Sequence, residues 1–216
     1  MLDQGPPEAG AAVRRGAQAL GRDDIRILEP AGPLSLGALR NVSMAAARGD
    51  IICLWDDDLY HPERVALQAA DLLASGRLAG GLSEVMQFLP AGRRLMLTNW
   101  GGTPLRVKPA SLMAMKAALI AYPEAGPEAR IGEDVVVLSE LDGRGGLHGQ
   151  PGLPHLYVYV SHGLNTCGED HHRMIADRLA VSQGLLRRRE AAVRVGLEPF
   201  EFGAGPVSVG GRERWD

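Results

Sequence analysis

The sequence has few of the features that mark several classes of protein. Its 216 residues include two cysteines, Cys53 and Cys167, which is too few for the disulfide framework of a small secreted domain. We therefore expect a reducing, cytoplasmic location. No apolar run reaches the roughly 18 residues that a membrane-spanning helix needs, and no signal peptide is recognisable, so we expect no membrane span.

The net charge is small, and aromatic residues are scarce as well. A net charge of −3 argues against a general nucleic-acid binder, which would carry a basic surface. Aromatic residues make up 5% of the chain, and the 28 glycines predict many loops. The length and the 45% apolar content still suffice for one α/β core.

One apolar run ends in three consecutive carboxylates. Residues 51–54 predict a buried strand, and Asp56, Asp57 and Asp58 follow it almost at once. Like charges this close repel one another unless a cation lies among them. Carboxylate oxygens suit Mg²⁺ or Mn²⁺, which can bridge the phosphates of a nucleotide. The alternative is a solvated acidic turn in which Asp58 caps the next helix.

Helices flank this strand on both sides. Ser35 predicts the N-cap of a helix that Gly49 ends, and residues 62–75 predict a second helix that Gly76 ends. The remaining pattern predicts helices at 9–20, 110–121, 169–183 and 185–195, strands at 25–28 and from 156, a hairpin of 78–89 with 93–98, and a flexible tail at 203–211. The alternation of the two periods indicates an α/β protein.

The order of helix, Gly-Asp, strand, Asp cluster, Pro and helix resembles glycosyltransferase family 2, whose members have the GT-A fold. The matching positions are Gly37, Arg40, Asn41, Ala47, Gly49, Asp50, Asp56, Asp57, Asp58, Pro62 and Glu63. The resemblance implies a GT-A-like (Rossmann-like) mixed sheet flanked by helices, in a single domain over residues 1–183. Residues 184–216 would then add a basic helix and a flexible Gly-rich tail.

The family resemblance is incomplete at the N-terminus. Residues 1–6 resemble the turn after the second strand of the family fold, with that strand cut away. We therefore expect an N-terminally shortened sheet without its first strand, through truncation, a wrongly chosen start or remodelling. Such a sheet would expose an unpaired edge and part of the base-binding cleft.

The resemblance also implies an activity. It is the inverting transfer of a sugar from a nucleotide-diphosphate donor, usually with uridine, to a saccharide, lipid-linked or protein acceptor, as in cell-wall or polysaccharide biosynthesis. The implied cofactor is Mn²⁺ or Mg²⁺, with Asp56, Asp58 and His162 as ligands. The implied donor contacts are Asp3, Gly37, Arg40, Asp56, Asp57 and His172.

Two adjacent carboxylates, Glu133 and Asp134, follow Gly132 and open an apolar helical segment. A helix N-terminus favours negative charge, so ordinary capping would explain them. The resemblance instead implies that this pair supplies the catalytic base. By that analogy Asp134 is the base and Glu133 is the alternative.

The histidines lie late in the chain. His162 follows the strand predicted from Leu156, where an isolated histidine is commonly an ordinary surface or core residue, but the resemblance places a metal or pyrophosphate ligand there, with Asn165 nearby. Neighbouring residues on a helix point about 100° apart, which leaves His172 for donor phosphates and His171 exposed. A zinc site formed by Cys167, His171 and His172 would lack the paired ligand spacing of structural zinc modules.

Two further segments allow either an ordinary structural role or ligand contact. Trp100 and Gly101 would form an acceptor platform, or the tryptophan would simply pack. Residues 187–189, all arginine, would be a solvated helix face or a peripheral contact with anionic lipid headgroups.

Two rival functions stay open at this point. One is another Mg²⁺-dependent enzyme, a nucleotidyl- or phosphotransferase, although the sequence lacks the G-x-x-x-x-G-K-[ST] phosphate loop. The other is a catalytically inactive glycosyltransferase-like binding protein, which the missing strand favours.

Overall fold

The computed structural model describes residues 7–163 and 165–212. Within them the chain forms a mixed α/β structure with two mixed sheets and flanking helices. The helices are α1 (Pro7–Ala19), α2 (Leu36–Ala46), α3 (Arg64–Ser75), α4 (Glu133–Gly143), α5 (Glu169–Leu179) and α6 (Gln183–Leu197). The strands are β1 (Ile51–Cys53), β2 (Leu59–Tyr60), β3 (Ala79–Leu82), β4 (Glu84–Leu89), β5 (Arg94–Asn99), β6 (Met113–Met115), β7 (Leu147–Gln150), β8 (Tyr157–Val160) and β9 (Ser208–Gly210).

The chain divides into two compact units. The first contains residues 1–49 and 120–136, and the second contains residues 50–119 and 137–216. All nine strands of the described residues belong to the second unit.

The first unit is organised around α2. Ser35 caps this helix by accepting a bond from the Ala38 amide at 3.2 Å, as the sequence predicts. The Asn41 side chain forms two hydrogen bonds with the backbone of Tyr122. It donates to the Tyr122 carbonyl at 3.0 Å and accepts from the Tyr122 amide at 2.8 Å. One family-matching residue, Asn41, therefore has a structural task.

The second unit contains two sheets joined through the Asp cluster. One sheet has the order β1-β6-β3-β7, and the other has the order β2-β8-β4-β5-β9. Since β1 ends at Cys53 and β2 begins at Leu59, residues 54–58 carry the chain from the first sheet to the second. Helix α3 lies against the first sheet, while α5 and α6 lie against the second.

The core of the five-stranded sheet lies beneath α6. Leu186, Val193 and Leu197 of this helix form one buried cluster with Met86 and Leu97 of the predicted hairpin. That hairpin is confirmed for residues 84–89, since β4 and β5 pair antiparallel from Glu84↔Asn99 to Leu89↔Arg94, whereas residues 79–82 of the predicted first arm form β3 in the other sheet. The sequence thus placed correctly the pair of strands on which α6 packs.

Two predicted elements are wrong, and one predicted boundary is misplaced. Residues 110–121 form no α-helix but contribute β6, which inserts between β1 and β3, so that sheet pairing overrides the helix propensity of an Ala- and Met-rich segment. Residues 25–28 form no strand, and only Leu28 makes a bridge. The helices predicted at 169–183 and 185–195 both form, but the boundary between them lies earlier, because α5 ends at Leu179 and Val181 leaves helical geometry to donate its amide to Leu97.

The predicted flexible tail is also wrong. Ser208–Gly210 pair in parallel with β5, and the guanidinium of Arg93 donates to the carbonyls of Gly205 at 2.7 Å and Pro206 at 3.0 Å. This Gly-rich segment is therefore held along the edge of the sheet by backbone pairing and by Arg93.

The basic run at 187–189 is partly structural. Arg189 forms a two-bond ion pair with Glu84, at 2.6 and 2.9 Å, and the Gly152 amide donates to the same carboxylate at 2.9 Å. Arg187 and Arg188 are exposed. In the described part of the chain, no helix combines the length and the apolar character needed to cross a membrane.

We expect Glu84→Gln to lower the free energy of unfolding at pH 7 by about 2 kcal/mol, because it removes a charged partner from a largely buried ion pair. Burial acts to raise the pKa of Glu84, but the bonds from Arg189 and Gly152 outweigh it and hold the pKa below the usual 4.5. A lowered pKa in the folded state stabilises above pH 4.5, and this stability is lost as the pH falls through the folded pKa. Urea denaturation at several pH values should therefore show the difference from wild type shrinking below about pH 4.5. A difference that does not depend on pH would contradict the role of the charge.

Candidate functional site

The Asp cluster occupies the crossing between the two sheets of the second unit. The Asp56 amide donates to the hydroxyl oxygen of Tyr60 at 2.7 Å, which turns the chain back toward β2. Asp57 is exposed, with 75% of its side-chain surface open to solvent. Three consecutive carboxylates therefore have different surroundings.

Asp58 is half-buried, and it is the member of the cluster that is bonded to β8. Its carboxylate accepts a bond from the Tyr157 hydroxyl and another from the Val160 amide at 2.7 Å, both on β8. Burial raises the pKa of Asp58 to about 6, although the two bonds and the charge of Lys108 act to lower it. Asp58 thus anchors β2 to β8 and does not cap α3, which begins at Arg64 after Glu63.

His162 lies beside Asp57. Its Nε2 is 2.9 Å from Asp57 Oδ2, and its backbone amide donates to Asn165 Oδ1 at 2.9 Å. The Asn165 amide group in turn donates to the Val160 carbonyl at 3.0 Å, which fixes the loop at the end of β8. The expected closeness of His162 to the Asp cluster is confirmed, whereas its role as a metal ligand stays a prediction.

The side chains of the Asp cluster and His162 are of the kinds that bind a hard cation, but they are not arranged as a complete metal site. Within residues 7–163 and 165–212, no three His, Cys, Asp or Glu side chains are grouped so that they could hold a metal ion. Mg²⁺, however, commonly takes one or two protein carboxylates and completes its shell with water and substrate phosphates. The cluster therefore fits an ion that binds together with a phosphorylated ligand, and this role also stays a prediction.

A buried cation, not predicted from the sequence, lies under the cluster. The guanidinium carbon of Arg64 is 4.5 Å from the ring centroid of Tyr60, 5.2 Å from that of Trp55 and 5.4 Å from that of Tyr157. Arg64 is fully buried, and its Nε donates to Gln68 at 2.9 Å. The sequence around Arg64 did not predict this enclosure, since all three rings lie outside α3.

Lys108 is a second cation near the cluster. It is 8% exposed, and its Nζ lies 4.0 Å from the ring centroid of Tyr159 and 5.2 Å from that of Trp100. Trp100 is half-buried, packs against the core, and has a buried indole nitrogen with no hydrogen-bond partner among the described residues. This geometry favours packing over an acceptor platform for Trp100. Gly101 is exposed, with its amide bonded to Asn99 at 2.8 Å.

His172 is in the interior, which corrects the expected contact with donor phosphates. It is 1% exposed, its Nε2 is 3.2 Å from the Cys167 carbonyl, and its ring centroid is 4.9 Å from that of Tyr159. Burial lowers its pKa, so the ring favours the neutral form. His171 is exposed, as expected. The contact with Cys167 uses the carbonyl and not the thiol, so it provides no support for zinc.

The first unit brings together two residues that the resemblance had given separate roles. Arg40 Nε donates to Glu133 Oε1 at 2.8 Å, and the Arg40 guanidinium lies 5.7 Å from the ring centroid of Tyr122. Glu133 is 3% exposed, and burial raises its pKa, although Arg40 opposes this. Asp134 is half-buried and accepts a bond from the Val135 amide at 2.8 Å. Both carboxylates open α4, as predicted.

Gly37 is in tight packing within its own unit. A Cβ at this position would lie 1.9 Å from the Pro123 carbonyl oxygen, so only glycine fits. The expected close approach is therefore to protein backbone and not to a donor. Asp3, the remaining expected donor contact, lies outside the described residues.

The predicted site residues thus fall into two groups. Gly37, Arg40, Glu133 and Asp134 belong to the first unit, and the Asp cluster, Trp100, Gly101, His162 and His172 belong to the second. Neither the models of known protein families nor the curated protein sequences contain a match to this chain.

We expect Asp58→Ala to lower the free energy of unfolding by about 2 kcal/mol, because it leaves the Tyr157 hydroxyl and the Val160 amide without an acceptor. Asp57→Ala is the matched control, since its exposed side chain should change stability by no more than about 0.5 kcal/mol. Urea denaturation of both variants measures the difference. Equal stabilities would show that Asp58 does not anchor β8.

Proposed function

We propose that this protein transfers a sugar, with inversion, from a nucleotide-diphosphate donor, most suitably a uridine one, to an acceptor hydroxyl. The observation that carries the proposal is the Asp cluster at the crossing between two sheets, with His162 held 2.9 Å from Asp57. Acidic groups that need a counter-charge, next to an imidazole, suit the recognition of a metal-bound diphosphate. The resemblance to glycosyltransferase family 2 supports the same activity.

The proposed cofactor is Mn²⁺ or Mg²⁺, to which Asp56, Asp58 and His162 are the candidate ligands; one or two of them would bind the ion, and water and the donor phosphates would complete its shell. Such an ion offsets the charge that develops on the departing diphosphate. Asp57 is the donor contact of the cluster, because its carboxylate is exposed while Asp58 is engaged with β8. The fold holds these carboxylates close together although they repel one another.

Asp134 is the proposed general base. Glu133 is buried and paired with Arg40, so its carboxylate is engaged and screened from an acceptor hydroxyl. Asp134 is half-buried, and among the described residues its carboxylate accepts a bond from the next amide, which leaves carboxylate lone pairs for a proton. The Arg40–Glu133 pair fixes the start of α4 and thereby positions Asp134.

We expect UDP binding to depend on Mn²⁺ and on the carboxylates of Asp56 and Asp57. Asp56→Asn and Asp57→Asn should weaken binding about tenfold or more, as loss of groups around a metal commonly does. Asp71→Asn is the matched control, since Asp71 is also paired with a histidine, His148, at 2.9 Å. Calorimetry with UDP in Mn²⁺ and in EDTA tests this. Equal binding in EDTA would remove the metal from the proposal.

We expect Asp134→Asn to reduce turnover by about 10²–10⁴-fold while donor affinity is retained, because a base interacts with the acceptor mainly as the proton moves. Asparagine keeps a side-chain oxygen that can accept the Val135 amide, so the melting temperature should change little. Sugar transfer, or slow hydrolysis of the donor, is measured beside UDP–Mn²⁺ affinity. Glu140→Gln, at an exposed site on α4, is the control. Near-normal transfer by the Asn variant would refute the assignment.

A further inference from the structure

Trp55 is an exposed aromatic side chain directly before the Asp cluster. It is 51% exposed, although it follows the buried Leu54, the first residue after β1. The next two residues are Asp56 and the exposed Asp57. A large apolar ring open to solvent beside carboxylates is an uncommon surface for a protein with so few aromatic residues.

The inner side of this ring is held by a stack of aromatic groups. The centroid of Trp55 is 4.3 Å from that of Tyr60, and Tyr60 stacks on Tyr157 at 5.0 Å. Tyr60 also accepts the Asp56 amide, so the stack and the Asp cluster share one support. The orientation of Trp55 is therefore set before any ligand arrives.

Arg64 completes this support. The terminal nitrogens of its guanidinium, Nη1 and Nη2, are buried and have no hydrogen-bond partner among the described residues. The faces of the three rings at 4.5–5.4 Å supply the compensating interaction, since a cation is attracted to the π-face of an aromatic ring. Displacing Trp55 would leave this buried charge less well compensated, which makes the ring a rigid platform.

The chemistry of this surface matches a sugar ring. A pyranose has an apolar face of C–H groups that can lie on an aromatic ring, and hydroxyls at its edge that carboxylates can accept. A pre-oriented aromatic group with a few polar groups beside it is the usual composition of a small-molecule site. The Asp56 and Asp57 carboxylates, next to Trp55 in sequence, provide those acceptors.

We infer that Trp55 is the stacking surface for the sugar ring of the substrate, with Asp56 and Asp57 accepting its hydroxyls. The inference rests on the proposed function for the identity of the ring. It assigns to Trp55 the task that the sequence had suggested for Trp100. Arg64 is a positioning residue, because it acts on the ligand only through the tryptophan.

The test is saccharide binding to the full chain, with glucose, galactose, N-acetylglucosamine and their β-linked disaccharides as probes. Tryptophan emission is recorded for wild type and for Trp100→Phe, in which Trp55 and Trp215 remain. Calorimetry gives the affinity for wild type, Trp55→Ala and Trp55→Phe, with melting temperatures as a check of folding. UDP with Mn²⁺ is titrated into each variant in parallel.

We expect at least one saccharide to change the emission of wild type and of Trp100→Phe. Its affinity should fall about tenfold in Trp55→Ala, equivalent to about 1.4 kcal/mol, and be partly kept in Trp55→Phe, which retains a ring. Unchanged affinity in Trp55→Ala, or no binding of any probe to wild type, would overturn the inference.

Other occupants give different results. UDP affinity that depends on Trp55, without saccharide binding, would assign the ring to the base and overturn the inference. A wild-type dimer that Trp55→Ala abolishes, again without saccharide binding, would assign it to self-association and overturn it as well. Saccharide binding through Trp55 in a protein that never binds UDP would refute the proposed transfer and leave the platform intact. If UDP binds with the metal but saccharide affinity is the same in Trp55→Ala as in wild type, the inference about Trp55 is refuted and the proposed transfer stands.

Discussion

The bonding of the half-buried Asp58 carboxylate to β8 is the interaction on which the arrangement of the candidate site depends. By accepting the Tyr157 hydroxyl and the Val160 amide, it fixes the start of β2 against β8. The register that results pairs Leu59 with Val158 and stacks Tyr60 on Tyr157. The same strand then ends at the loop that carries His162 to Asp57. One acidic residue therefore organises both the exposed carboxylate and its imidazole partner.

Keeping three adjacent carboxylates in this place has an electrostatic cost, and the buried Lys108 offsets part of it. The charge of Lys108 acts to lower the pKa of Asp58, whereas Arg64 is enclosed by three aromatic rings. Burial still raises that pKa to about 6, so the offset is partial. A site that retains residual negative charge favours a cationic partner, which is the physical basis of the proposed metal–diphosphate recognition.

Local patterns predicted the elements that local interactions determine. Ser35 does cap a helix, Gly76 does end one in the left-handed conformation, and the residues of β4 and β5 do form a hairpin. Elements set by distant partners were missed, such as β6, whose helix-forming residues are captured between β1 and β3, and β9, which pairs with β5 across a long stretch of chain. The approach of His162 to Asp57 came from the family resemblance. The aromatic enclosure of Arg64 had no local signal, because Tyr157 belongs to β8.

The central claim is that a divalent ion binds with a diphosphate at the Asp cluster beside His162. Its most direct test is the broadening of histidine imidazole NMR signals by substoichiometric Mn²⁺ in the presence of UDP, with His162→Gln used to assign the signal. His148 is the internal control among the six histidines, because its Nε2 is paired with the single carboxylate of Asp71 at 2.9 Å. The account predicts that the His162 signal broadens first while that of His148 stays sharp. Equal broadening of both signals, or a sharp His162 signal at saturating UDP and Mn²⁺, would contradict it.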